Sequence, residues 1–148
     1  MFKLNSVRDA ESAVIQVLDP ETKKPVGATI TLAGPEHEKS RALALANDRR
    51  IRRGIEKAGK LTLEDPEVEQ DRALDELVAV TLGWEGFADD EGNPIPFTAE
   101  NVRAAYLNAP WLRLQMVEAR RERGNFIRRS ENNSSTTVEQ RSGSRARA

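Results

Sequence analysis

Apolar and polar positions alternate twice near the start of the chain and then recur every three or four residues through most of the remainder. "AVIQVL", Ala13 to Leu18, and "ATITL", Ala28 to Leu32, are alternating and rich in β-branched residues. The segment between them, "DPETKKPVG", is dense in turn formers, so a β-hairpin is predicted over 13–32. Ile30 and Leu32 fall on one face and Thr29 and Thr31 on the other. Two strands are marginal in water, so the apolar face must lie against a helix or another chain. After Gly34 the period changes. Pro35 suits a first helical position and Gly59 a left-handed terminus, and Leu43, Ile51, Ile55 and Ala58, widened by Ala42, Leu45 and Ala46, predict a helix over 35–58. A second helix, 66–82, has Asp65 as N-cap, Pro66 at its first position, a Leu74, Leu77, Val78, Leu82 stripe and Gly83 as its stop.

That stop leads into "GWEGFADDEGNPIPFT", where Trp84, Phe87 and Phe97 surround an acidic turn in a chain with only seven aromatic residues. Gly92 can take positive φ, Thr98 caps a third helix over 99–107, and Phe97 is placed to staple onto Val102. A fourth helix, 110–127, carries Trp111, Leu112, Leu114, Met116, Val117 and Ala119 around most of its circumference. Such a helix is wedged between neighbours or waits for a partner. Residues 1–12 read as a flexible lead-in, and 130–148, with Val138 as its one sizeable apolar side chain, as disordered. The expected fold is α+β and mostly helical: one domain over 13–129, with an N-terminal hairpin and about four helices.

Composition narrows the functional classes. The chain has 148 residues, 38% hydrophobic and 32% charged, which points to a modest core. With no cysteine there is no thiolate nucleophile, disulfide or cysteine-held metal. The chain contains no run of 18 uncharged apolar residues, so membrane insertion is not expected and a soluble cytoplasmic protein is. The net charge of −1 conceals segregation: residues 35–60 hold 8 basic and 4 acidic side chains, 61–100 hold 1 and 12, and 101–148 hold 10 and 4. Such blocks pair within the fold or between copies, which makes a homo-oligomer plausible.

Candidate chemistry is sparse. Setting Gly92 at the sixth position of a calcium loop puts Phe87 first and Thr98 twelfth, where carboxylates are required, so an EF-hand is excluded. His37, the single histidine, has no nucleophile or second imidazole in view and reads as an exposed polar residue. With neither a phosphate-cradling glycine loop nor a nucleophile elbow, no enzyme, cofactor or metal is expected. "RRIRRG", Arg49 to Gly54, is the densest basic cluster, and a small nucleic-acid-binding regulator is the alternative it supports. Nucleic acid is the weaker reading because aromatic stacking residues are missing nearby.

"TLAGPEH" closing a hairpin, a basic helix, "LGWEG", an acidic glycine turn and "NPIPFTAENV" together resemble the tail assembly chaperones of long-tailed bacteriophages, from about Ala13 to about Ile127. The resemblance implies a non-enzymatic factor in the bacterial host cytoplasm that binds the tape-measure protein, assists polymerisation of tail-tube protein around it and is absent from the virion. Many members of that family are made in two lengths by ribosomal frameshifting. The partner-binding candidates are Trp84, Phe87, Trp111, Leu112 and Met116, which either grip a client or close the core. Gly34, Pro35, Gly83, Gly92, Phe97 and Thr98 are expected to shape the backbone.

Overall fold

A computed structural model describes residues 1–129, and the expected tail over 130–148 lies outside the described residues. The fold is α+β. The hairpin forms from β2 (Ser12–Leu18) and β3 (Pro25–Ala33), joined by a turn in which the Asp19 carboxylate accepts the backbone N–H groups of Glu21 and Thr22 at 2.8 and 2.9 Å. Those two bonds hold the Asp19 carboxyl below its ordinary range. On β3 the alternation places Ala28, Ile30 and Leu32 in the core, while Thr29 and Thr31 stay half-buried on the other face.

The helices are α1 (Glu38–Ala58), α2 (Pro66–Val80), α3 (Ala99–Asn108) and α4 (Pro110–Arg121). Three boundaries depart from the sequence expectation. First, α1 begins at Glu38 and not at Pro35, because the His37 imidazole accepts the Lys39 N–H at 3.0 Å and acts as the N-cap, leaving Pro35 in the preceding turn. Second, α2 stops two residues before 82, and Gly83 lies inside a strand, β4 (Thr81–Glu85). The Thr81 hydroxyl donates to the Leu77 carbonyl at 2.7 Å, releasing the chain directly into an extended path against β3. Third, α4 ends at Arg121, and a 3-10 turn, Arg123–Phe126, leads into β5 (Ile127–Arg129).

The main sheet is antiparallel in the order β2-β3-β4, so β3 is paired on both sides. Ile30 stands between Ile15 and Trp84 across the three strands, which puts the Trp84 indole on the core-facing side. Val17, Leu74, Leu77, Val80, Val102, Tyr106, Leu112, Met116 and Phe126 complete the core. At the outer end of β2, the Gln115 side-chain amide accepts from the Leu18 N–H at 3.1 Å and donates to its carbonyl at 2.6 Å, so α4 grips the sheet as another peptide would.

Residues 1–12, expected to be a flexible lead-in, also depart from expectation. A 3-10 turn at Leu4–Ser6 runs into β1 (Val7–Asp9), which pairs antiparallel with β5, Val7 facing Arg129. The Ala10 N–H bonds to the Phe126 carbonyl at 2.7 Å, and Arg123 pairs with Asp9 at 3.0 Å. Gly34 makes room for this closure: a Cβ there would lie 2.8 Å from the Phe126 ring.

Two glycines test how close the sheet and the loop after it lie. Gly27 and Gly86 both have φ near +90°, but a Cβ on Gly27 meets open space, whereas one on Gly86 would strike the Gly27 carbonyl and lie 2.9 Å from Ala28 Cα. Gly27→Ala should cost only the conformational term, about 1 kcal/mol. Gly86→Ala should cost about 1–3 kcal/mol more, because backbone must move. Urea unfolding midpoints decide this, and equal losses would show that the close approach is not felt.

Candidate partner-binding groove

The aromatic cluster closes a loop on itself. The Trp84 indole N–H donates to the Ile95 carbonyl at 3.0 Å, tying the start of the loop to its end. Phe87 packs on Trp84 with ring centroids 4.6 Å apart, and Phe97 presents its edge at 6.0 Å. Between them the Ile95 N–H bonds to the Phe87 carbonyl at 2.9 Å, and Ala88 bridges Pro94. At the tip, Gly92 takes φ +88°, and the Asp89 carboxylate accepts the Asn93 and Glu91 N–H groups at 2.9 and 3.0 Å. These bonds, that of Asn93 foremost, lower the Asp89 pKa. Among the described residues no three His, Asp or Glu side chains converge as a metal cage would require. Phe97 meets the Trp84 indole, and Thr98 caps α3 by accepting the Asn101 N–H at 3.0 Å.

The five partner-binding candidates separate. Trp84 and Phe87 are half-buried and packed against the core. Leu112 and Met116 are buried, Met116 completely, so neither can meet a partner in the folded state, which corrects the expectation for both. Their spacing of four places them on one face of α4, and that face is turned to the sheet by the Gln115 clasp. Trp111, one residue before Leu112, is rotated about 100° away and remains 40% exposed, as does Leu114 on the same helix at 57%.

What the structure offers a partner lies on α4's other flank. Between α2 and α4 runs a groove of about 250 Å³ lined by Gln70, Ala73, Leu74, Leu77, Arg113 and Val117. It continues into a second hollow of about 300 Å³, which shares Ala73, Leu77 and Val117 and adds Glu76, Arg120 and Arg121. At 1.5 Å per residue the two together run for roughly 12 Å along the helices, about two turns. The floor is apolar at Ala73, Leu74, Leu77 and Val117 and becomes mixed where Glu76 enters the second hollow, and the α4 rim carries Arg113, Arg120 and Arg121. Burial lowers the Arg120 pKa, partly offset by Glu76 opposite, so its guanidinium is incompletely hydrated and favours a carboxylate partner. The signal for this site was present in the spacing: Gln70, Ala73 and Leu77 share one face of α2, and Arg113, Val117 and Arg120 share one face of α4.

The basic cluster of α1 is partly engaged in ion pairs. Arg50 reaches Glu64 at 3.3 Å, Arg52 reaches Asp48 at 3.3 Å along the helix, and Arg49 and Arg53 point to solvent. No helix among the described residues is long and apolar enough to cross a membrane. Compared with protein families, with curated proteins and with solved structures, the chain gives no match.

Two outcomes follow. Leu112→Ala and Met116→Ala should each destabilise the domain by about 2–5 kcal/mol, whereas Trp111→Ala should cost about 1 kcal/mol or less, as read by chemical denaturation. The second concerns Tyr106, the one tyrosine of the chain, which is buried with its hydroxyl 2.9 Å from the Thr81 hydroxyl. Burial pushes its pKa up to about 12. Because the folded value lies above the unfolded value of about 10, its contribution to stability is complete below pH 10 and is lost as pH rises through about 12. Phenolate absorbance should therefore titrate near the higher value in the native protein and near 10 in urea.

Proposed function

We propose that this protein is a non-enzymatic assembly chaperone that holds an amphipathic helical segment of a client polypeptide in the α2/α4 groove. The observation that carries this reading is the groove itself: a short apolar floor at Ala73, Leu77 and Val117 beside a cationic rim, the complement of a helix with an apolar stripe and acidic flank. The sequence resemblance supplies the client class. The client is then the tape-measure protein of a long-tailed bacteriophage, kept soluble in the host cytoplasm while tail-tube subunits polymerise around it. A chain that is 32% charged suits such a task, since it stays soluble while lending out a small apolar surface.

Co-expression tests the reading. The wild-type chain should raise the soluble fraction of the tape-measure protein encoded beside it and co-purify with it. Ala73→Glu and Arg113→Glu, one on each wall of the groove, should lower that yield about tenfold or more while leaving the melting temperature nearly unchanged. Equal rescue by wild type and both variants would remove the groove from the account; no rescue by wild type would remove the chaperone reading.

A further inference from the structure

Of the four helices α1 is the least buried. It spans 21 residues, about 32 Å, and packs along α2. In its body only Leu43, Asn47, Arg50 and Gly54 are partly covered, a seam one residue wide in which Leu43 is the single large apolar side chain. A hollow of about 380 Å³ lies between the two helices, its apolar lining drawn from Leu43 and Ala46 of α1 and Ala79 of α2. So little shared apolar area holds a long helix weakly, and a polar contact has to make up the difference.

That contact is Glu64, in the linker between the helices. Its carboxylate is shared by Arg50 of α1, at 3.3 Å, and by Arg72 of α2. Arg72 donates two N–H groups to it and Arg50 one, so the Arg50 side is the one that parts first. The linker itself adds no restraint: among the described residues, 60–64 make no hydrogen bond through their backbone. Residues 59–63 span about 17 Å when extended, enough slack for the far end of α1 to leave α2. Docking also has a cost. Both buried side-chain polar atoms that lack a hydrogen-bond partner among the described residues, Ser40 Oγ and Arg50 Nε, lie on α1. Ser40 sits at the root of the helix, its one buried residue, but Arg50 lies in the seam, where lifting the helix returns its Nε to water.

We propose that α1 is a latched arm. The part of the helix beyond Ser40 lifts from α2 as a unit while the sheet and the other helices stay folded, and the Glu64 carboxylate, by joining Arg50 to Arg72, is the latch. Such partial opening belongs to elements with few buried apolar contacts, and α1 is that element here. The arm stands apart from the α2/α4 groove and from what that groove binds.

Amide hydrogen exchange on the intact chain tests it. The amides of residues 47–58 should exchange about tenfold or more faster than those of β3 and α3, and 0.5 M sodium chloride should speed them about threefold more without altering the sheet. Glu64→Gln keeps the size of the side chain and removes its charge. It should speed the same segment by about tenfold, with the near-ultraviolet circular dichroism of Trp84 and Trp111 unchanged. Asp48→Asn loosens only α1's own pair with Arg52 and should not do so, which separates lifting of the arm from fraying of the helix. Residues 47–58 exchanging no faster than β3, or speeding equally in the two variants, would overturn the proposal.

Discussion

The structure turns on β3. Among the described residues it is the one strand paired along both edges, and its inward side chains, Ile30 and Leu32, are completely enclosed. A three-stranded sheet has a single apolar face to hide, and here a layer of three helices hides it: α2 and α4 touch the strands directly, and α3 is wedged between them with Val102 and Tyr106 inward. Once that layer is complete no apolar face remains for α1. A helix with its own apolar residues, Leu45, Ile51 and Ile55, is left attached along one narrow seam. The modest core and the generous exposed surface are thus one fact, because 148 residues with so much charge enclose only a small sheet.

Polar groups at the boundary of this core do positional work. The Thr81 hydroxyl ends α2 by donating to the Leu77 carbonyl and also bonds to the Tyr106 hydroxyl, so one side chain sets where helix becomes strand and where α3 sits against it. Gln115 does the same for α4, engaging both backbone groups of Leu18. Neither side chain belongs to an apolar stripe. Each converts a burial cost into a fixed register, since a buried polar atom left unpaired costs about 1–3 kcal/mol.

Local patterns revealed the hairpin, its inward face, the four helices and the cap at Thr98, because each depends on neighbours within about four residues; Asp65 stands at the N-terminal boundary of α2 as expected, but its side chain makes no capping bond. What escaped depends on distant ones. The strand Thr81–Glu85 reads as the end of a helix followed by a glycine stop, and only pairing with β3 pulls it straight. The two-residue-early end of α2, the His37 cap and the β1–β5 ribbon were hidden for the same reason. Among the site residues, a stripe covering most of α4 could not say which part faced the sheet. The Gln115 clasp decides it, sending Leu112 and Met116 inward and leaving Trp111, Arg113 and Val117 toward solvent or the groove.

The β1–β5 ribbon carries one more implication, about the order of events. The β2–β3 hairpin closes a turn of a few residues, whereas joining Val7 to Arg129 closes a loop of some 120. By the logarithmic scaling of chain closure the second step costs about 3 kcal/mol more in lost freedom, and it requires Arg129 to have been synthesised. The N-terminal strand therefore docks last, with Phe126 settling against Gly34 as the final seal. Sheet, helices and groove are thus in place before the termini are tied.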